Sequence, residues 1–486
     1  MKSSKSTSFF QYIGLFALIY LIVFIKLDSF HLRWWDESMF AVNTYEMMNN
    51  SNYFSLYFNN EPDLFNTKPP LTSWIQIPFV KLLGYNELAV RLPSAIATAV
   101  VIMLVFSFVK KHFNVLMAWI SALVLLVSNG FIGFHTARTG EADATLTLFV
   151  FCSLLFFIKF LIEGNQKHVG FFFLFLTLAF ATKLFAALLF VPAMVFVLYK
   201  KGKTKEFILS RYFVFGILLF LFFNGMLVYL RESDTKGYLK ELLFKDAGRL
   251  LVAVESHGEP FSFYIDSLFY KRFATWFALL IISISYHFWS RKNLITDKIQ
   301  IILDTIIYCL ISYLIIISLS TTKLEWYDMP LYPLMAVLVG YGIMKIITSL
   351  FSIDNVKTLH LVLVIMIIFV WPFSVAFRRS QGNTIANGEK KLEACEIYLH
   401  KKIKAKSNLN GLSILTSNYN GSLLFYKYVL REKRQDMRIK GDVDFNVGER
   451  VLISEDSLKL ALNTKYQCKV IDRIDYAILY EVESIK

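Results

Sequence analysis

The chain has 486 residues, of which 56% are hydrophobic and 18% are charged. A soluble domain is about 45 to 50% apolar and about 25% charged, so this composition excludes an ordinary soluble protein. The formal net charge of +14 is compatible with nucleic-acid binding. However, the charges fall mostly between apolar runs, which argues against that function and indicates a role in membrane topology.

Apolar runs long enough to cross a bilayer, about 17 to 25 residues each, recur along most of the chain. The first lacks a small-residue cleavage site, so we interpret it as a retained helix rather than a signal peptide. The two runs that meet at Lys183 are short for full spans. Together the runs predict about eleven transmembrane helices, near 10–26, 88–109, 114–132, 144–162, 168–182, 184–199, 210–230, 272–290, 300–320, 329–349 and 357–377.

Basic residues cluster in alternate connections between these runs, and by the positive-inside rule those connections face the cytoplasm. The basic residues are Lys2, Lys5, Lys110, Lys111, Lys167, Lys200, Lys201, Lys203, Lys205, Arg211, Arg291, Lys292 and Lys298. We therefore predict a multi-pass protein of the inner (plasma) membrane. Its extracytoplasmic face receives loop 27–87, the connection 133–143, the turn at Lys183, loop 231–271, the segment 321–328 and the tail from about 380.

Three polar islands lie on this predicted outer face: HLRWWDES at 31–38, FNTKPPLTSW at 65–74 and HTARTGEAD at 135–143. A single charge at a membrane end is commonly a solvated anchor or part of a structural pair. Many such charges on one side predict a shared polar cavity at the outer leaflet. They are Asp36, Glu37, Lys68, Arg138, Glu141, Asp143, Lys183, His257, Glu259, Lys323 and Glu325.

The pattern predicts two domains, a transmembrane catalytic domain over 1–379 and a small extracytoplasmic α/β domain over 380–486. In loop 27–87 we expect two helices in the interface plane, one over 36–48 and one after Pro69 and Pro70. The tail contains the β-like runs LSILTS, RVLIS and DYAILYEV, without a catalytic motif. Its Cys395 and Cys468 are either paired or free, which the sequence leaves open.

The islands contain the residue types needed to act on a phosphorylated lipid. A Lys68 ammonium can bind phosphate as a point charge, and the two following prolines restrict its backbone. Alternatively, the prolines begin an interfacial helix and Lys68 extends to the surface. Asp36 and Asp143 are candidate general bases, or acidic residues that favour helix starts through the helix dipole.

Five motifs occur in order over about residues 10–350: WWDESMFAV, FNTKPPLTSWIQIPFVKLLGYNELAVRLPSA, ARTGEADATLTLFVF, ESHGEPFSFY and KLEWYDMPLYP. This order resembles the GT-C class of membrane glycosyltransferases. More narrowly, it resembles the bacterial relatives of the dolichyl-phosphate-mannose protein mannosyltransferases (glycosyltransferase family 39) and the lipid A aminoarabinose transferases. The resemblance implies transfer of a sugar, with inversion, from a polyprenyl-phosphate donor to a lipid, glycan or protein acceptor on the extracytoplasmic face.

The resemblance also implies roles for residues. Asp36 matches the essential Asp of the first outer loop and Asp143 the second, with Glu37 as the neighbouring catalytic candidate; Lys68 matches the donor-phosphate Lys. The family's other recurring positions give candidate donor-phosphate ligands at Arg91 and Lys323, and candidate substrate-binding residues at Glu141, His257, Glu259 and Tyr327. Arg138, one of the charges on the predicted outer face, is a further candidate substrate-binding residue. Arg91 is equally a candidate structural anchor. The chain departs from the family at Thr67, where relatives have Glu, and near Phe40, where relatives have an Arg.

We expect neither a cofactor nor a required metal, because no DxD or His-rich ligand set is visible and lysines suited to phosphate are present. A transporter or lipid flippase is the alternative function. Such proteins place ionisable residues at span centres and often contain inverted repeats, and the sequence shows neither. A receptor or scaffold that binds a partner through the tail is a third interpretation, and it needs no cavity on one side.

Overall fold

The computed structural model describes residues 5–133, 135–252, 257–290, 297–350, 358–381 and 387–486. Lys2, Arg291 and Lys292, three of the basic residues used for the predicted topology, lie outside them. The helices are α1 (Lys5–Ile19), α2 (Asp36–Asn49), α3 (Leu71–Leu83), α4 (Glu87–His112), α5 (Val115–Val127), α6 (Asn129–Ile132), α7 (Asp143–Glu163), α8 (Lys167–Lys183), α9 (Val191–Lys200), α10 (Thr204–Ile208), α11 (Arg211–Asp234), α12 (Tyr238–Leu242), α13 (Phe263–Ser267), α14 (Ala274–Ser290), α15 (Asp297–Leu319), α16 (Tyr332–Leu350), α17 (Thr358–Gln381), α18 (Asn387–Leu392), α19 (Ala394–Lys404), α20 (Gly421–Glu432) and α21 (Asp456–Lys465). The strands are β1 (Tyr57–Phe58), β2 (Glu61–Pro62), β3 (Leu412–Leu415), β4 (Met437–Lys440), β5 (Arg450–Ile453), β6 (Tyr466–Ile474) and β7 (Ala477–Ile485).

Helices occupy the positions of the predicted spans, but they differ in length. Among the described residues, six are long and apolar enough to cross a membrane. A seventh is added if Phe263–Arg272 and Ala274–Ser290, which meet at a bend of 119°, form one broken span. The apolar helices Ser8–Phe24, Val115–Val127 and Val191–Lys200 are shorter. The protein is therefore a multi-pass membrane protein, whereas the count of about eleven spans is not confirmed.

Small residues bring the central helix α16 close to its neighbours. A Cβ atom at Gly340 would lie 2.1 Å from the Ser121 Oγ of α5, and one at Gly342 would lie 1.8 Å from the Ser283 Oγ of α14. Glycine is therefore needed at both crossings, as in other close contacts between membrane helices. The short Glu325–Leu331 3₁₀ segment precedes α16 and holds part of the site described below.

Loop 27–87 contains the two predicted helices, α2 and α3, but α2 is not amphipathic. It is buried from Glu37 to Met47, because α3 packs on one side and α20 of the tail on another. The Tyr45 ring stacks on Tyr428 of α20 at 4.5 Å, and Tyr428 Oη donates a hydrogen bond to Glu46. This burial contradicts the expectation that one face of α2 meets lipid.

The tail forms the predicted α/β structure. Its sheet has the order β4-β3-β5-β7-β6, in which β3 runs parallel to β4 and β5 while β7 runs antiparallel to β5 and β6. The three predicted β-like runs correspond to β3, β5 and β7. Cys395 and Cys468 are both free, so the disulfide that the sequence left open is not formed.

Candidate active site

The three polar islands meet at one cavity of about 480 Å³, as the sequence predicts. The cavity lies beside the start of α2, the start of α7 and the 3₁₀ segment before α16. Five of the charged or ionisable residues placed on one face by the sequence line it: Asp36, Lys68, Asp143, Lys183 and His257. Tyr327, a predicted substrate-binding residue, lines it as well. Its volume is in the range of small-molecule sites.

Asp36 and Glu37 are adjacent in sequence but differ in environment. Asp36 begins α2 and lines the cavity. Glu37 is fully buried, and its Oε1 accepts hydrogen bonds from Arg91 Nε at 2.7 Å and from the Gly140 amide at 2.8 Å. Its Oε2 accepts from the Arg33 amide at 2.8 Å. Glu37 therefore ties two islands together, and this placement favours a structural role over the predicted catalytic one.

Arg91 acts as the anchor that the sequence left as an alternative to phosphate binding. Besides its two bonds to Glu37, it donates to the carbonyl oxygens of Leu27, Phe30 and His31 at 2.8 to 3.0 Å. All five donor hydrogens of a guanidinium are needed for these bonds. Arg91 is 1% exposed, so it holds the backbone before α2 and has no donor left for a phosphate.

Arg138 also bonds backbone carbonyls rather than facing the catalytic cavity. Its guanidinium donates to carbonyl oxygens at the end of the first helical stretch and to the Ser380 carbonyl. Terminal helix carbonyls lack partners within the helix, so a cation there is stabilising. This placement favours a capping role over the predicted substrate contact.

Lys68 lines the cavity and lies on a loop whose backbone is fixed by other helices. Its ammonium forms an ion pair with Asp246, which also accepts a hydrogen bond from Thr67 Oγ1. Burial lowers the pKa of Lys68, and Asp246 offsets part of this effect. Burial alone raises the pKa of Asp246, but Lys68 holds it below its usual value. Asp246 thus places a carboxylate beside Thr67, the position at which relatives have Glu.

The backbone of this loop is fixed by α11 and α12. Arg231, which is 1% exposed, donates to the carbonyl oxygens of Asp63, Asn66 and Lys68. Tyr238 Oη donates to the Thr67 carbonyl at 2.9 Å. The orientation of Lys68 therefore depends on residues more than 160 positions away in the sequence.

A second lysine–aspartate pair lines the same part of the cavity. Lys183 Nζ donates to both carboxylate oxygens of Asp143, at 2.6 and 2.8 Å, and lies 4.9 Å from the centre of the Tyr327 ring. Arg249 donates a hydrogen bond to Tyr327 Oη and lines the same cavity. Lys68, Lys183 and Arg249 together make this end of the cavity cationic.

His135 and Glu141 form a buried pair beside Asp36. His135 Nδ1 lies 2.6 Å from Glu141 Oε2, and the imidazole stacks on Trp326 at 3.7 Å. Burial lowers the pKa of His135 to about 4. Burial, together with the charges of Asp36 and Asp143, raises the pKa of Glu141 well above its usual value. Burial therefore disfavours the charged form of both groups.

The same residues could hold a metal ion. One ligand atom each from Asp36, His135 and Glu141 lies within 4.8 Å of the others. Glu141 Oε1 is buried and, within the described part of the chain, lacks a hydrogen-bond partner. A divalent cation would favour the ionised carboxylate and supply positive charge for phosphate or sugar oxygens. The sequence search missed this set because its members come from two islands.

The remaining predicted residues lie on one edge of the site. Lys323 Nζ donates to the carbonyl oxygens of Glu259 and Ser320, and its amide donates to the His257 carbonyl. Burial lowers the pKa of Lys323. His257 lines the cavity, whereas the contacts of Lys323 favour a role in holding this loop over the predicted phosphate contact.

A second, mainly apolar cavity of about 220 Å³ adjoins the first. The two share Lys68, Asp143, Lys183, Arg249 and Tyr327. Below these polar groups the second cavity is lined by Phe185, Leu189, Tyr313, Ile316 and Ile317, among others. A polar chamber therefore opens directly onto an apolar one.

Sequence reasoning did not assign site roles to Lys183, Asp246, Arg249, Arg231 or His135. The sequence does mark Lys183 as unusual, because this single charge lies between two apolar runs. Asp246 and Arg249 lie in loop 231–271, which has several charges and no pattern that distinguishes these two. Only the folded chain shows that they face Lys68 and Tyr327.

Residues 67–229 match the family of dolichyl-phosphate-mannose-protein mannosyltransferases. Two curated relatives are each 26% identical to the chain: an uncharacterized protein of Aquifex aeolicus over 344 residues, and the putative mannosyltransferase YycA of Bacillus subtilis over 182 residues. These alignments cover 69% and 37% of this chain, but 62% and 26% of the relatives. The chain thus spans less than two thirds of the length of either relative.

Two solved structures share the fold. ArnT from Cupriavidus metallidurans bound to undecaprenyl phosphate aligns with a TM-score of 0.71 at 13% identity, covering 97% of both chains. The oligosaccharyltransferase AglB from Archaeoglobus fulgidus, in complex with an inhibitory peptide and a dolichol-phosphate, aligns with a TM-score of 0.53 at 10% identity, covering 98% of this chain and 74% of that one. The chain thus has the fold of the GT-C glycosyltransferases and resembles the dolichyl-phosphate-mannose-protein mannosyltransferases over residues 67–229, as its motifs predict.

Proposed function

We propose that the protein is an integral-membrane glycosyltransferase that moves a hexose or pentose from a polyprenyl-phosphate donor to a lipid, glycan or protein acceptor. The observation that carries this proposal is the pair of adjoining cavities, which share a cationic wall. A polyprenyl-phosphate sugar is apolar at one end, anionic in the middle and polar at the other. This order matches the apolar cavity, the cationic wall and the chamber around Asp36.

The donor phosphate lies against Lys68, Lys183 and Arg249 in this proposal. Each lysine is paired with an aspartate, Asp246 or Asp143, and a phosphate can replace that partner without leaving the ammonium unpaired. The isoprenoid chain follows the apolar cavity past Leu189 and Ile316. A lysine ammonium suits phosphate because it is a compact charge with freely rotating donors.

Asp36 acts at the sugar. An acceptor hydroxyl attacks the anomeric carbon while the bond from that carbon to the phosphate oxygen breaks, and the polyprenyl phosphate leaves with the bonding electrons. The hydroxyl proton passes to Asp36 as general base. Attack opposite to the leaving group inverts the anomeric centre. An acceptor phosphate needs no base, and Asp36 then stabilises positive charge on the sugar ring.

The acceptor approaches from the side of the polar islands, which we propose is the extracytoplasmic face of the inner membrane. The residues over 380–486 then form an extracytoplasmic domain. The acceptor edge of the cavity is formed by His257, close to the backbone of Glu259.

Transfer of radiolabelled sugar from a polyprenyl phosphate by the purified protein tests the proposal. Mass spectrometry of extracytoplasmic glycolipids and glycoproteins, with and without the gene, then identifies the sugar and acceptor class. A protein that binds no prenyl phosphate and leaves these glycoconjugates unchanged on deletion would contradict the proposal. Vectorial movement of lipid without transfer would instead support the flippase alternative.

A further inference from the structure

Trp35, directly before Asp36, has a backbone conformation that non-glycine residues rarely adopt. Its φ and ψ angles are 64° and −115°. Such a conformation is strained and persists only where surrounding contacts impose it. The Trp35 carbonyl accepts hydrogen bonds from the Met39 amide at 2.9 Å and from Ser38 Oγ at 2.8 Å. These bonds fix the conformation at the start of α2.

The tail fixes the residues on the other side of Trp35. The Glu393 carboxylate lies 2.8 Å from His31 Nε2 and accepts from Arg33 Nη1 at 3.0 Å and from the Trp34 amide at 3.2 Å. Trp34 Nε1 donates to the Tyr419 carbonyl at 3.0 Å. The segment leading into Asp36 is therefore held by residues more than 350 positions away.

This arrangement places the indole ring of Trp35 at the edge of the cavity. The Trp35 side chain lines the cavity beside Asp36, and the residue is 41% exposed. Its ring stacks on Tyr419, with the centres 4.5 Å apart and the planes 10° from parallel. Phe58 stacks on the same tyrosine at 5.7 Å. Trp35 is thus a rigid, supported aromatic surface.

The support is close-fitting. A Cβ atom at Gly421 would lie 2.4 Å from Tyr419 Oη and 2.8 Å from Ser38 Oγ. Glycine is therefore required where the tail passes beneath Tyr419 and the start of α2. At Gly421 the tail and the start of α2 meet without space for a methyl group.

We propose that Trp35, supported by Tyr419, is the surface on which the pyranose or furanose ring of the donor sugar lies during transfer. This inference rests on the proposed function and assigns a sugar-binding part to the tail. One face of a sugar ring carries C–H groups, and these pack on an aromatic face while the hydroxyls remain available for hydrogen bonds. The surface adjoins Asp36, and the cationic wall for the phosphate belongs to the same cavity. The tail therefore acts on the donor sugar.

The test separates sugar binding from lipid-phosphate binding. Isothermal titration calorimetry is performed on the detergent-solubilised full chain with short-chain prenyl phosphates, one without sugar and three carrying mannose, glucose or arabinose. We expect at least one sugar to increase wild-type affinity. Trp35→Ala should remove that gain, a loss of about tenfold, without changing the affinity for the sugar-free prenyl phosphate. Trp35→Phe, which keeps a ring, should retain most of the gain, and Tyr419→Ala should lose part of it.

Trp289→Ala is the matched control, because Trp289 is an exposed tryptophan at the end of α14, outside the cavity; it should change neither affinity. Equal losses for sugar-bearing and sugar-free ligands in Trp35→Ala and Trp35→Phe would indicate a purely structural role and overturn the inference. It is also overturned if no sugar increases wild-type affinity, or if Trp35→Ala alters only the KM of the acceptor. A wild-type protein that binds no prenyl phosphate at all would instead refute the proposed function.

Discussion

The buried arginines and the cavity lysines carry the same charge in different settings. Arg91 and Arg231 are each 1% exposed and bond several backbone carbonyls, of residues 27–31 and 63–68. Lys68 and Lys183 each face one aspartate and line the cavity. A guanidinium has five fixed donors and suits the holding of several carbonyls, whereas an ammonium is a compact charge that can exchange one anion for another. We therefore expect the buried arginines to stabilise the fold and the cavity lysines to bind the donor phosphate, and the following variants test that difference.

Asp36→Asn should give the largest effect on transfer. Asparagine keeps the size of the side chain but has no proton affinity, so the transfer rate should fall by about 10² to 10⁴-fold while donor binding and folding persist. The measurement is single-turnover transfer by purified, monodisperse protein. Near-normal transfer by Asp36→Asn, with loss in a folded Glu37→Gln variant, would move the catalytic role to Glu37.

Replacement of Arg91 should affect stability rather than chemistry. Arg91→Met leaves the Glu37 carboxylate buried without its cation, and breaking a buried pair costs about 3 to 5 kcal/mol. The yield of folded protein and its thermal unfolding temperature should fall. Lys111→Ala is the control, because the Lys111–Glu163 pair is exposed and should contribute little. A stable Arg91→Met protein that fails only in donor binding would restore the predicted phosphate role.

Lys68→Ala should weaken donor binding by about 10- to 100-fold, since hydrogen bonds to charged groups contribute about 1.5 to 3 kcal/mol. The KM for the acceptor should stay unchanged. Lys68→Arg should rescue binding only in part, because the planar guanidinium differs in shape and hydration. Titration with prenyl phosphate measures the effect. An unchanged donor affinity would instead support the alternative in which Lys68 is an anchor at the membrane interface.

The pH dependence of donor binding tests the pairing of Lys68 with Asp246. Asp246 raises the pKa of Lys68, which burial lowers. Asp246→Asn should therefore lower that pKa further, so that the ammonium loses its proton, and donor affinity falls, at a lower pH than in the wild type. Asp234→Asn is the control, because Asp234 is exposed and bonds Tyr57. If the loss of donor affinity at high pH occurs at the same pH in Asp246→Asn as in the wild type, Lys68 does not set the pH dependence.

Removal of divalent metal should have the smallest effect. Lys68, Lys183 and Arg249 already supply positive charge at the phosphate, so we expect transfer to survive treatment with a chelator. Transfer is measured after chelation and after return of Mg²⁺, Mn²⁺ or Zn²⁺. Complete loss restored by one ion, and absent in His135→Ala, would instead assign Asp36, His135 and Glu141 as its ligands.

Local pattern was sufficient for the positions of the helices and for the meeting of the polar islands at one cavity, but not for the role of each charge. Asp36 and Glu37 have the same chemistry and neighbouring positions in the sequence. They differ because helix α2 turns one towards the cavity and the other towards Arg91. Likewise, the sequence predicts that α2 lies in the membrane interface, yet α3 and α20 of the tail cover it.

The sequence by itself determined the apolar helices, the clustering of polar islands and the α/β character of the tail, because these follow from local composition and periodicity. Only the tertiary structure decided which carboxylates of the site meet Lys68, Lys183 and Arg91, because these pairs join distant segments. Lys68 with Asp246, Glu37 with Arg91 and Trp35 with Tyr419 depend on helix packing and on the docking of the tail. No periodicity along the chain encodes those distances, since they arise from burial and the need to satisfy each buried polar group.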